Sequence, residues 1–288
     1  MTTRVWSVRD ALGWTVDYLE RKGIEQPRLS AEWLLSSATG LSRIELYAYH
    51  DRPLGEVERA NLREGVKARG AGAPLQYVTG EMPFRHIVVR VRPGVFIPRP
   101  ETEILVEQVL VAIASIDSPV VVDLCTGSGC AACSIAHERP DARVVATDLS
   151  PVAVEVARDN AGRLGIADRV TVYEGDLFAP LPRDLVGQID AVVANPPYVP
   201  TADLPELPAE ILGYEPSLAL DGGPDGLDLA RRIMSDAREW LVPGHGLFME
   251  LDETRVSDAV IEMQAWYEHC RTVEDLAGRS RVAAGCLR

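Results

Sequence analysis

The chain has 288 residues, 47% hydrophobic and 25% charged, with five cysteines and a formal net charge of -14. These values fit a soluble globular protein of one large or two ordinary domains, and they exclude a disordered or fibrous chain. The acidic excess argues against broad nucleic-acid binding, and no apolar run approaches the roughly 18 to 20 residues that span a bilayer. The first residues lack the basic-then-apolar plan of a signal peptide, and an odd number of cysteines in no regular framework suits a reducing compartment. A cytoplasmic protein is expected, with no membrane contact and no direct DNA binding.

Residues 1–77 read as helices alone. Ser7 and Asp10 form a capping box, Val8, Leu12, Val16 and Leu19 keep helical spacing, and Gly23 can close the helix. A second helix is predicted from Ser30 to Gly40 and a third from Glu56 to Arg69, with a short helix and a turn between them. No group of ionisable residues suited to catalysis falls here. Residues 78–102 change character: Ile87, Val89 and Val91 alternate with polar partners, "RPG" supplies a turn and "VFIPR" follows, a pattern for a linking β-hairpin. From residue 103 to 288, strand-like apolar runs alternate with helices. "PVVVDL", "RVVATD", "RVTVYEGD", "IDAVVANPPY" and "GLFMEL" are separated by helices near Cys130–Glu138, Pro151–Leu164 and Leu227–Leu241, and a helix near Val256–Tyr267 precedes two terminal runs. Such strands predict an α/β fold with a doubly wound, mostly parallel sheet, whose ligand sits at the C-terminal strand ends.

The informative residues fall at those ends. Asp123 closes the first strand of this region, "CTGSG" follows, and Asp148 closes the second strand, about 20 residues beyond the turn, where an acid can bind a ribose hydroxyl pair. Asp176 follows the third strand. The glycines do not form a G-x-G-x-x-G fingerprint, and an acid directly ahead of the turn suits a cationic ligand better than a pyrophosphate. This points to S-adenosyl-L-methionine in preference to NAD. Cys125, Cys130 and Cys133 also fall on C-x4-C-x2-C, the iron–sulfur run of plant-type ferredoxins. A cluster would occupy the turn shaped by Gly127 and Gly129 and would need the distant Cys270 or Cys286 as its fourth ligand, so the methyl-donor reading is preferred. His50, His86, His137, His245 and His269 show no ligand spacing, and no metal is expected.

"NPPY", Asn195 to Tyr198, directly follows the fourth strand. Prolines would delete ladder donors within a strand, so here they end it in a rigid, extended turn. The Asn195 carbonyl and the backbone carbonyl beside proline can each accept a hydrogen bond from one planar NH2 group, and Tyr198 can stack on that group. The set suits an amide or aromatic amine offered to a methyl donor.

Together, "DLCTGSG", "NPPY", "PRPETE" at Pro98–Glu103, "EPSLALDGGPDGL" at Glu215–Leu227 and "DLAGRSRV" near the end resemble the HemK/PrmC family over nearly the whole chain. Those proteins are glutamine methyltransferases that modify the Gly-Gly-Gln motif of peptide chain release factors, with a helical N-terminal substrate-recognition domain. The resemblance implies that Cys125, Thr126, Gly127, Ser128, Gly129, Asp148, Asp176 and Leu177 contact S-adenosyl-L-methionine, with Asp123 at the base of the turn and Asn195 beside the transferred methyl. It implies that Asn195, Pro196, Pro197 and Tyr198 hold the glutamine amide, and that Arg99 and Glu101 wall the substrate pocket. The chain departs from the family in having Cys125 at the first loop glycine and Arg255 where glutamine is common. Glu250, also assigned to the pocket, could join Asp252 and Glu253 in attracting a guanidinium. The alternative is therefore a paralogue that methylates a nitrogen of a free amino acid such as arginine.

Overall fold

The computed structural model describes residues 5–288; residues 1–4, part of the segment read for a targeting signal, lie outside the described residues. The chain forms two compact units, one of Met1–Glu81 with Pro208–Tyr214, the other of Met82–Leu207 with Glu215–Arg288.

The first unit is helical: α1 (Val8–Arg21), α2 (Pro27–Thr39), α3 (Arg43–Ala48), α4 (Glu56–Gly70) and α5 (Leu75–Thr79), joined by a later helix, Ala209–Tyr214. Ser7 and Asp10 cap α1 reciprocally, as their spacing predicts, and Ser42 with Glu45 does the same for α3. The second helix starts three residues earlier than its apolar pattern suggests, because Pro27 occupies a first-turn position where a missing N–H costs nothing. Gly40 ends it in the left-handed region at φ 70°. Val8, Leu19, Leu34, Leu35, Leu46 and Val66 form the core.

The second unit opens with a hairpin of β1 (Glu81–Phe84) and β2 (Ile87–Arg90). Its turn lies at Arg85–His86, where Arg85 adopts φ 48° and its guanidinium is held by Glu107 and Glu138. The "RPG" turn forms as well, closed by Val95 N–H donating to Arg92 O at 3.2 Å, but it follows β2 and leads into an extended segment in place of a strand. Next comes α6 (Thr102–Ala112), a helix hidden in the sequence because its apolar residues form an almost continuous run with no clear helical period.

The sheet then follows as β3 (Val120–Leu124), β4 (Arg143–Asp148), β5 (Val170–Glu174), β6 (Ile189–Ala194), β7 (Leu241–Glu250), β8 (Tyr267–Glu274) and β9 (Ser280–Leu287), in the order β5-β4-β3-β6-β7-β9-β8. Strands β3 to β7 pair in parallel, while β9 inserts antiparallel between β7 and β8. The covering helices are α7 (Cys130–Glu138), α8 (Pro151–Arg163), α10 (Asp228–Trp240) and α11 (Val256–Met263), counting the helix at Ala209–Tyr214 as α9. Val122, Val145, Val192, Leu247 and Met249 are fully buried; each such side chain contributes about 1.5 to 3 kcal/mol. The last helix stops at Met263, short of its predicted end, because Tyr267 begins β8 and donates its buried hydroxyl to Met234 O at 2.8 Å.

The order of pairing reverses at β3, which lies between β4 and β6. Ligands of doubly wound sheets bind outside the carboxyl ends of the strands at such a point. In register, Leu124 pairs with both Thr147 and Ala194, and Ala194 with Met249. The residues that follow, Cys125, Asp148, Asn195 and Glu250, therefore stand along one edge of the sheet.

Candidate active site

The turn after β3 is held from several sides. Cys125 lies in the left-handed region at φ 56°, as do Gly127 at φ 57° and Gly129 at φ 77°. Thr126 N–H donates to Thr147 O at 3.0 Å and Gly129 N–H to Thr126 O at 2.8 Å. A side chain at Gly129 would put its Cβ 3.0 Å from that of Ala157, so the third residue of "GSG" is dictated by close packing of turn against α8. Asn160, fully buried on α8, donates to Ser128 O at 2.9 Å and to Arg90 O at 3.0 Å while accepting from Arg90 N–H at 2.7 Å. One amide thus ties the turn to the hairpin strand β2. Asn160 was missed in the sequence, where an isolated polar residue on a helix carries no signal.

The two acids around the turn do different things. Asp123 is buried; its Oδ2 accepts from Thr126 Oγ1 at 2.5 Å and from Ala132 N–H at 3.2 Å, so it caps α7 from beneath the turn. Burial pushes its carboxyl up to about 7 against the pull of those donors. Asp148 is half-buried, and its two oxygens accept from Gly127 N–H at 2.8 Å and Ser150 N–H at 2.9 Å. Burial raises its pKa and the backbone donors oppose the rise. A carboxylate oxygen has a second lone pair, so Asp148 can still accept from a ribose hydroxyl. Leu177 is buried at φ 48°, and Asp176, exposed, pairs with Arg232 at 2.7 Å.

Burial raises the thiols of Cys125, Cys130 and Cys133, the last up to about 12. Among the described residues, no group of three or more His, Cys, Asp or Glu is placed to hold a metal ion. Cys130 and Cys133 are buried packing residues of α7, whereas Cys125 is half-buried on the turn.

Asn195 to Tyr198 leave the end of β6 beside this turn. Asn195 Nδ2 donates to Thr102 Oγ1 at 3.3 Å, leaving its carbonyl to face elsewhere. Tyr198 is half-buried against the core of the sheet, and burial raises its phenol. The segment is fixed by "LDGGPDG": Val199 N–H donates to Leu220 O at 2.9 Å, Gly222 N–H to Val199 O at 2.8 Å and Thr201 N–H to Gly223 O at 2.9 Å. A Cβ at Gly222 would lie 2.7 Å from Tyr198 Cα, so backbone rests directly on backbone.

Arg99 pairs with buried Glu215, which also accepts from Ile97 N–H at 3.2 Å, and the guanidinium lies 4.8 Å from the Phe96 ring centroid. Glu101 accepts from Arg279 at 3.1 Å. These pairs brace the segment before α6. Glu250 is buried at the end of β7 beside Thr102 and Asn195, and its Oε2 has no hydrogen-bond partner. Burial pushes it up to about 7, while Thr102, Arg281 and Asn195 pull it down. The three carboxylates read as a guanidinium trap do not act together. Asp252 Oδ1 accepts from Thr254 N–H at 2.9 Å and Thr254 Oγ1 at 2.6 Å, and Glu253 lies 3.9 Å from Arg279 and Arg281.

The edge therefore combines a backbone turn with a ribose-competent carboxylate, which fit a nucleoside-bearing ligand, and an Asn-Pro-Pro-Tyr turn fit for a planar NH2 group. Residues 10–80 match the family described as PrmC N-terminal domain and residues 87–209 that described as Methyltransferase small domain. The chain is 44% identical to a release factor glutamine methyltransferase of Moorella thermoacetica, over 96% of both chains. It is 43% identical to one of Geobacter sulfurreducens, over 98% of this chain and 97% of that one. Among solved structures, the hMettl16 catalytic domain in complex with MAT2A 3'UTR hairpin 6 matches with a TM-score of 0.56 at 13% identity, covering 80% of this chain and 82% of that one. At that identity the likeness is one of fold.

Proposed function

The chain belongs to the release factor glutamine methyltransferase family, and we propose that it methylates the side-chain amide nitrogen of the glutamine in the Gly-Gly-Gln motif of a peptide chain release factor, with S-adenosyl-L-methionine as donor. The observation that carries this reading is the register of β3 with β6, which sets the turn after Leu124 beside Asn195 at one sheet edge.

S-adenosyl-L-methionine supplies, when bound, a methyl group made electrophilic by its sulfonium. The Cys125–Gly129 turn would hold the donor through backbone, Asp148 would accept from its ribose hydroxyls, and the Asp176–Leu177 pair would contact it. Asn195 Oδ1 and the Pro196 carbonyl accept the two N–H groups of the glutamine amide. An amide nitrogen is a poor nucleophile because its lone pair is delocalised, and these two acceptors raise electron density on it while fixing its approach. Pro197 keeps the turn rigid, and Tyr198 covers the amide plane. Arg99, Glu101 and Glu250 shape the wall around it.

Residues 1–77 serve to grip the release factor, 78–102 link, and 103–288 carry the chemistry. The reaction belongs in the cytoplasm, where release factors act; no helix among the described residues is long and apolar enough to cross a membrane. Labelled methyl should pass to an intact release factor and not to its Gln-to-Ala variant, and failure with the intact factor sinks the proposal.

A further inference from the structure

Asn195 can serve the reaction only in one of the two orientations of its amide. With its carbonyl toward the substrate it accepts an N–H; with its NH2 group there it opposes another donor. Two buried side chains behind it bear on that choice. Thr102, the first residue of α6, is 2% exposed, and its Oγ1 accepts from Asn195 Nδ2 at 3.3 Å. Glu250, 2% exposed, follows Met249, which pairs with Ala194, so it stands on the strand end next to Asn195 and close to Thr102, and its Oε2 has no hydrogen-bond partner.

A hydroxyl has one hydrogen to donate, and a carboxylate has none once ionised, which for Glu250 is the state above about pH 7, where the pair acts and is tested. We propose that Thr102 and Glu250 form a positioning pair: the Thr102 hydroxyl donates to the Glu250 carboxylate, so its oxygen can only accept from Asn195, which fixes the Asn195 carbonyl toward the substrate amide. In the flipped amide, the Asn195 carbonyl would face a threonine oxygen whose hydrogen is already committed. This leaves two buried acceptors opposed, a costly arrangement in a dry site. Thr102 and Glu250, the latter part of the pocket wall, make no hydrogen bond to substrate or donor; they act through Asn195. The inference rests on the function proposed above, in which Asn195 receives the substrate N–H.

The test uses the full-length protein with an intact release factor as substrate and S-adenosylhomocysteine binding as the check of folding. Thr102→Val removes the hydroxyl at constant shape, Thr102→Ser keeps it, and Glu250→Gln replaces the pure acceptor by a group that also donates. Thr102→Val and Glu250→Gln should each lower kcat about 10- to 100-fold, the scale of a misplaced reacting group, with both KM values within about threefold of wild type. Thr102→Ser should keep kcat within about threefold. A wild-type kcat in Thr102→Val or in Glu250→Gln, a loss confined to KM, or a Thr102→Ser variant as slow as Thr102→Val overturns the pair. If Thr102→Val fails to bind S-adenosylhomocysteine, Glu250→Gln and Thr102→Ser decide by the same criteria. Wild-type protein that transfers no methyl to the release factor overturns the functional reading and this inference together, whereas active wild type with unaffected variants overturns only the pair.

Discussion

Gly226 packs against Tyr198 so closely that a Cβ at position 226 would lie 2.3 Å from the Tyr198 carbonyl oxygen. Gly226 also sits at φ 81°, where a side chain is strained in any case. Gly226→Ala should therefore cost about 1 to 3 kcal/mol in stability through overpacking and push the Asn195–Tyr198 turn out of place. The expected result is a lower Tm and a kcat reduced about 10- to 100-fold, with S-adenosylhomocysteine binding retained. A variant with wild-type kcat would show that the turn does not depend on this contact.

Asp148 binds the turn at Gly127 and the start of α8 at Ser150 with separate oxygens. Asp148→Ala removes both bonds and the proposed ribose acceptor. Its affinity for S-adenosyl-L-methionine should fall at least tenfold, a change of about 1.4 kcal/mol, by isothermal titration calorimetry. Unchanged affinity would remove Asp148 from the donor site.

Cys125 holds φ 56° without being glycine. The left-handed conformation costs a side-chain-bearing residue roughly 1 to 2 kcal/mol, so Cys125→Gly should raise stability by up to about 1 kcal/mol after the added freedom of the unfolded chain is counted. Thermal melting reads this directly. Donor affinity should be unchanged, since the proposed contacts at this position are through backbone.

Asp123 and Glu250 are both raised to about 7 by burial. Each binds its proton more tightly in the folded protein than in the unfolded chain, where the ordinary carboxylate range applies. Between about pH 4 and 7 the native state then holds more protons than the unfolded state, so this contribution to stability is lost as pH rises. Asp123→Asn should flatten part of that fall in urea titrations across the range. An Asp123→Asn protein with the wild-type slope would mean that burial of this carboxyl does not set the pH dependence.

The sheet edge was legible because its signals are local: strand, turn and acid recur within short stretches from Val120 to Asp148, and Asn195–Tyr198 ends a strand at once. What was hidden depends on partners far along the chain. Thr102, Asn160 and Glu215 are single polar residues whose meaning lies in Asn195, Arg90 and Arg99. The glycines of "GGPDG" marked the family, but their physical reason, backbone resting on the Tyr198 backbone, needed the fold. Asp123 looked like a ligand acid by its position ahead of the turn, whereas its carboxylate caps α7.

Mass spectrometry of a release factor incubated with this protein and S-adenosyl-L-methionine, with free arginine present as a competing substrate, reads the proposed reaction itself. The expected product carries a single added methyl on the glutamine of Gly-Gly-Gln, absent with an Asn195→Ala enzyme, and arginine stays unmethylated. Methyl found on arginine with an unmodified release factor would contradict the proposed function.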